Sequence, residues 1–274
     1  MQKQTFQEAW DTRTHLLADS LLVQDWPKDL PWHAVAPDSL ANEKHLLPVI
    51  LQLDELSDDH REHVQTLISM KHPSNTAPAM LVRSERSTDA LARALAPHVT
   101  ITLSDESPVL LRFADPQVVA HLLWILPLHA LASICEATTE WSIPFQGEWH
   151  EMAFSRRPQA RWDALDEPRS IALYNVILIN RVLARLPASD GWEAYWRDAR
   201  KINEWLCAAQ DRFELTEVAD CVALAEHGMR FGEGFVSHKT IASWLNEARD
   251  RPGTYAQKTT VMSTRDWNGV LASA

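Results

Sequence analysis

Ser107-Pro-Val-Leu-Leu-Arg-Phe-Ala-Asp-Pro-Gln-Val-Val-Ala-His-Leu-Leu-Trp-Ile-Leu-Pro127 changes its hydrophobic period halfway along. Val109, Leu111 and Phe113 alternate with Leu110 and Arg112, the pattern of a strand mostly buried on both faces. Val118, Val119, Leu122, Leu123, Ile125 and Leu126 instead fall on a broad helical stripe. The period switches at Asp115-Pro116. An aspartate carboxylate accepts from the free N–H groups of a first helical turn, and proline at the first helical position gives up only an N–H that had no partner. A strand is therefore expected to run almost without a loop into a capped helix, which Pro127 stops.

Arg112 stands three residues before Asp115 and is in reach of its carboxylate, so the pair reads as a brace at the strand-to-helix junction. A fixed ion pair without a neighbouring nucleophile or base lacks the other parts of a reactive site.

Arg112, Phe113, Asp115 and Pro116, followed by Leu122, Leu123 and Trp141, form an Arg-Phe-x-Asp-Pro signature leading into a leucine-rich helix and an aromatic segment. This signature resembles the type VI secretion effector adaptors, or chaperones, of the Tap/TEC kind. It is densest over residues 77–149, with Leu17-Ala18-Asp19 and Pro48 to Leu53 as earlier strands. The resemblance implies a cytoplasmic adaptor that binds a secreted effector and loads it onto a VgrG-type spike protein, with no cofactor and no catalytic residue.

Composition is compatible with such a role. The chain has 274 residues, 46% hydrophobic and 23% charged, enough for one large or two small globular domains. No run approaches the roughly eighteen apolar residues needed to cross a bilayer. The polar start Met1-Gln2-Lys3-Gln4 has no signal-peptide character, so a cytoplasmic location without membrane insertion is expected. A net charge of −11 argues against nucleic acid as a partner, because phosphate neutralisation needs clustered Lys and Arg. Cys135, Cys207 and Cys221 are too few and too far apart for a disulfide framework or a CxxC metal site. With seven glycines and neither GxGxxG nor GxxxxGK, phosphate-cradling loops are not expected. Twelve tryptophans suit a packed core or a surface that anchors proteins.

In chain order, 5–14 reads as a short polar helix, 15–22 as a strand and 46–53 as another, with Pro48 placing that strand at an edge or standing among its first residues. Residues 25–32 form a loop carrying Trp26 and Trp32. Acidic Asp54 to Glu62 leads a helix over 58–70; His60 and His63 on it lack a third metal ligand, so no metal site is assigned. A strand at 80–83, a helix at 87–95 and a hairpin of 99–103 with 109–113 follow, then strands at 140–144 and 148–154 around Gln146-Gly147. The basic stretch Arg156 to Arg161 marks a domain boundary.

Beyond it, helices are expected at 171–186, apolar nearly all round and therefore central, and at 192–206, with Trp205 off the apolar stripe. Further helices are expected at 216–227, closed by Gly228, and from Ser237 on; after Arg251 the periodicity fades, leaving a loose tail that Trp267 can dock.

The predicted fold is thus a mixed α+β: an N-terminal α/β lobe, 1–160, with a small mixed or antiparallel sheet, then an all-helical lobe, 161–274, with a loosely ordered C-terminal tail. Trp26, Trp32, Trp205 and Phe231 are the candidate partner-binding residues, as aromatic anchors inside polar rims. No GxSxG, HExxH or CxxC is present, so no catalytic, cofactor-binding or metal residue is named. Two other classes remain: a hydrolase or transferase with a site between the lobes, and a helix-turn-helix over 216–247, which the long connector and the acidic balance disfavour.

Overall fold

A computed structural model describes residues 1–70, 76–153 and 164–272. Its contacts divide the chain into two compact units, Met1–Leu173 and Tyr174–Ala274. The boundary expected at residues 160–161, with its basic connector, lies outside the described residues. The class is α+β, an antiparallel sheet with short helices followed by an all-helical region.

The strands are β1 (Gln2–Gln4), β2 (His15–Asp19), β3 (His33–Ala34), β4 (Pro48–Gln52), β5 (Ala79–Arg83), β6 (Thr100–Thr102), β7 (Pro108–Leu110), β8 (Glu140–Phe145) and β9 (Glu148–Ala153). Seven of them form one sheet in the order β1-β9-β8-β5-β2-β4-β3. Every pair is antiparallel. The helices of this unit are α1 (Phe6–Thr12), α2 (Asp58–Ser69), α3 (Thr88–Leu95), α4 (Pro116–Ile125) and α5 (Leu128–Ile134).

The register explains why β2 is buried along its whole length. Leu16 stands opposite Leu51 and Leu81, and together with Ala18 it packs under Trp10 of α1 and Val64 and Ile68 of α2. The side chains of Leu17, Ile50 and Met80 point to the other face, where Thr88 of α3 donates to Gln52 of β4 at 2.6 Å. The sheet is therefore covered on both sides, which is why β2 reads as a continuous apolar run rather than an alternating one. Arg13, between α1 and β2, holds Glu140 at 2.9 Å and Glu151 at 2.8 Å and so ties the start of β2 to the β8–β9 hairpin. That hairpin turns through Gln146 and Gly147, both at positive φ (51° and 83°), the two-residue geometry whose twist matches paired strands.

One local expectation is corrected here and one element is new. The strand of the opening stretch is only Pro108–Leu110; it pairs with β6 in a separate two-stranded sheet, and Leu110 is exposed. Among the described residues β6 is its one partner strand, and the chain turns at Leu111, whose carbonyl accepts from Phe113 N–H. Strand β1 was not foreseen: three polar residues carry no periodicity, and pairing with β9 plus a Gln4-to-Ser142 hydrogen bond of 2.7 Å holds them.

The second unit is built from the remainder of α6 (Glu167–Leu183), α7 (Gly191–Asp211), α8 (Val218–Phe231), α9 (Lys239–Asp250), α10 (Thr254–Thr260) and α11 (Thr264–Leu271). Helix α6 is not buried all round: Val176, Ile179 and Val182 are buried while Tyr174 and Ile177 are exposed. Its polar interruptions find partners on α7, Asn175 donating to Asn203 at 2.8 Å and Asn180 accepting from the Tyr195 hydroxyl at 3.4 Å.

Gly228 does not close α8. It lies inside the helix, which runs on to Phe231 and ends at Gly232, whose φ of 74° suits glycine. Gly228 serves close approach instead: a Cβ there would lie 2.6 Å from the Trp205 Nε1 of α7 and nearer still to Cδ2 and Cε2.

The segment after Arg251, expected to be loose, folds as α10 and α11. The reason is Asp220 of α8, fully buried, whose carboxylate accepts from Gly253 N–H at 2.6 Å and Ala256 N–H at 2.8 Å and so caps α10 from another helix.

Candidate functional site

In the first unit the polar centre is a three-residue junction. Asp19, the last residue of β2, caps the following 3₁₀ turn by accepting from Leu21 N–H at 2.9 Å. Asp115 caps α4 by accepting from Gln117 N–H at 2.9 Å, with Pro116 at the first helical position. Arg112 joins them: its Nε lies 2.8 Å from Asp19 and a terminal nitrogen 3.2 Å from Asp115. The Arg112–Asp115 brace was expected, and Asp19, ninety-three residues away in sequence, was not.

Both carboxylates are buried and the guanidinium is about a third exposed. Burial pushes the Asp115 carboxyl above its usual range, and the Arg112 charge opposes that rise. Burial also disfavours the Arg112 charge, but the hydrogen bond and charge of Asp19 and the charge of Asp115 outweigh it. Phe113 and Ala114 are fully buried between the cap and the core. Through these contacts the cluster ties the end of β2 to the residues that follow β7 and to the start of α4.

The aromatic candidates divide. Trp26 and Trp205 are only 7% and 5% exposed, which corrects the expectation that they present free faces. Trp26 belongs to the core cluster of the sheet, which also holds Leu53 and Leu56; Trp32, partly buried, packs beside it with ring centroids 5.9 Å apart. Trp205 is buried because Gly228 leaves room for its ring, and its indole N–H has no acceptor among the described residues, so packing rather than hydrogen bonding seats it. Phe231 is partly buried, its ring 4.6 Å from that of Trp267. Trp267 also lies 4.4 Å from His227, and it docks α11 on α8.

His227, buried, exchanges a 2.8 Å hydrogen bond with the Tyr255 hydroxyl. Burial, followed by the charges of Arg230 and Arg185, takes its pKa down to about 4. Asp220, His227 and Tyr255 thus form a polar interior to the helical unit that sequence reasoning missed. The available signal was a carboxylate on the same helical stripe as Cys221 and Leu224, a position that demands partners when buried.

Among the described residues, three concavities stand out on the surface. One, of about 460 Å³, lies beside β1 and is lined by Phe6, Ile68, Met70 and Trp149 with the Lys3–Glu148 ion pair at its margin. A second, of about 470 Å³, holds Arg185 and Arg230, both engaged by Glu226 at 3.2 and 2.9 Å. The third, of about 630 Å³, lies among α9, α10 and α11 and is lined by Trp244, Lys258, Val261, Met262, Arg265 and Gly269. Among the described residues no three His, Cys, Asp or Glu side chains converge in a metal-binding group, and no helix is long and apolar enough to cross a membrane.

No curated protein and no solved structure matches the chain. A family model does match, over residues 36–133, and its description is "Domain of unknown function (DUF4123)". The matched span contains Arg112, Phe113, Asp115, Pro116 and all of α4, which carry much of the resemblance seen in the sequence; Trp141 and Leu17-Ala18-Asp19 lie outside it. Residues 36–133 are thus similar to a family known as the type VI secretion effector-adaptor or chaperone (Tec/Tap) domain, which fits the resemblance read from the sequence.

Proposed function

We propose that this protein is a cytoplasmic adaptor that binds a type VI secretion effector and loads it onto a VgrG-type spike, without catalysing a reaction. The DUF4123 match carries the proposal. The state of the titratable groups supports its non-catalytic part. Burial pushes the Cys135 thiol well up and takes Cys221 to about 11, so neither is a thiolate near neutral pH. An imidazole titrating at about 4, as His227 does, is a weak general base. The Asp19–Arg112–Asp115 joint supports the adaptor part, since a surface that grips another polypeptide needs secondary elements held at fixed positions.

The test is co-purification of the tagged chain from its own cells under gentle lysis. Recovery of a spike protein and a secreted toxin together is expected. Recovery of neither refutes the adaptor, and substrate turnover that disappears when one side chain is removed refutes the absence of catalysis.

A further inference from the structure

Helices α10 and α11 follow one another in the chain but are held to α8 in different ways. The first is anchored by the buried Asp220 carboxylate, which accepts from Gly253 and Ala256 N–H, and by Tyr255, fully buried and hydrogen-bonded to His227 at 2.8 Å. The capping box of α11, by contrast, is its own, Ser263 with Asp266. Of its eight residues Val270 alone is buried, Trp267 is partly buried and the others are exposed. Two concavities border it, about 470 Å³ beside Thr264 and Trp267 and about 630 Å³ beside Arg265 and Val270, so its seat on the unit is narrow.

Trp267 and Val270, three residues apart, share one face of the helix. The slot that receives the indole is built without it. His227 stacks on Phe231 at 6.0 Å and meets Phe235 edge-on at 6.3 Å, the two phenylalanine rings lie 6.1 Å apart, and Trp205 backs Phe235 at 5.9 Å. Trp267 then closes on His227 at 4.4 Å and on Phe231 at 4.6 Å. Such a slot is preorganised for an aromatic ring. An eight-residue helix does not persist in water by itself, so lifting from α8 and unfolding are one event. Two docked side chains have to outweigh the entropy of ordering the whole segment, and a segment held in that way opens long before the unit around it.

We propose that α11 is a displaceable strap: docked, it fills the aromatic slot of α8 with Trp267; lifted, it yields that slot to a partner helix carrying an aromatic residue and an aliphatic one three positions on. The docked segment specifies this occupant, because it displays the side chains that the slot takes. That the natural competitor is a polypeptide rests on the adaptor proposal, whereas the opening of the strap does not.

The test begins with hydrogen exchange on the full chain, read amide by amide and corrected for intrinsic rates. The Trp267 and Ala272 amides, bonded to the Ser263 and Asn268 carbonyls, are expected to exchange about 100-fold or more faster than those of Cys221 in α8 and Ala256 in α10. Trp267→Ala is expected to accelerate the α11 amides by a further factor of about ten while Cys221 and Ala256 keep their rates, and Trp267→Phe to restore most of the protection. A fluorescein-labelled peptide copying residues 263–271 is expected to bind the Trp267→Ala chain about tenfold or more tightly than the parent, in which the tethered copy competes, and to lose binding when its own tryptophan is replaced by alanine. Exchange of α11 in step with α8, acceleration of all three helices together by Trp267→Ala, or a peptide that binds both chains equally or neither overturns the proposal. So does a dimer of the parent chain that Trp267→Ala dissociates, since α11 would then be seated on a second copy. Failure to recover spike and toxin in the co-purification would remove the adaptor and leave these measurements to decide the strap.

Discussion

Replacing Gly228 by alanine sets two effects of opposite sign against each other. Alanine inside a helix is favoured over glycine by about 1 kcal/mol, so propensity alone predicts stabilisation. The added methyl would stand 2.6 Å from the Trp205 Nε1 and closer to two further ring carbons, well inside ordinary contact. That ring cannot step aside cheaply, since it is buried and packs on Phe235 with centroids 5.9 Å apart. Relief must come from moving α7 away from α8, and overpacking of this kind costs about 1–3 kcal/mol, here at the upper end because three ring atoms are involved. The net expectation for Gly228→Ala is destabilisation by about 2 kcal/mol. Urea unfolding followed by far-UV circular dichroism measures it. A double-mutant cycle with Trp205→Leu isolates the cause: in that background Gly228→Ala should be neutral or stabilising by up to about 1 kcal/mol, giving a coupling of about 2–3 kcal/mol. A Gly228→Ala protein more stable than the parent, or a penalty that persists without the indole, would refute the packing account.

Arg112→Met leaves the Asp19 and Asp115 carboxylates buried without their cation; breaking a fully buried pair costs about 3–5 kcal/mol, and the partial exposure of Arg112 reduces this to about 2–3 kcal/mol, measurable by chemical denaturation. Asp220→Ala strips the cap from α10 and is expected to cost about 2 kcal/mol, with amide exchange accelerating first at Gly253 and Ala256; uniform acceleration across α8 would contradict a capping role. His227 has its folded-state pKa lowered from 6.5 to about 4, so on acidification the unfolded chain takes the proton first. Its contribution to stability is present above pH 6.5 and is lost as the pH falls toward 4, and His227→Phe should flatten that part of the stability profile.

Much of the first unit was legible because its signals are local. The acidic run Asp54 to Glu62 ahead of an apolar stripe, Asp115-Pro116 before another, and Gln146-Gly147 between alternating runs each specify a helix start or turn through a few neighbouring residues, and the structure has α2, α4 and the β8–β9 hairpin there. The brace between Arg112 and Asp115 was legible for the same reason, three residues being within reach of one side chain. The surface candidates fared differently. Trp205 sits at the margin of its helical stripe, where periodicity alone cannot tell a solvent edge from a packed one, and the glycine that decides the matter lies on another helix. The groove of α9 to α11 could not be read at all, because the fading pattern after Arg251 conceals two helices whose cap comes from Asp220.

By itself, then, the sequence determined the α+β class, the position of the capped junction and its likeness to an adaptor family. These depend on interactions within about one helical turn or one hairpin, whose partners are adjacent in the chain. Only the tertiary structure decided that Asp19 completes the junction, that Gly228 makes room for Trp205 instead of ending a helix, and that Asp220 caps α10 from another helix. In each case the deciding atoms are brought together by packing between segments far apart in sequence, and a contact of that kind leaves no periodic trace in either segment.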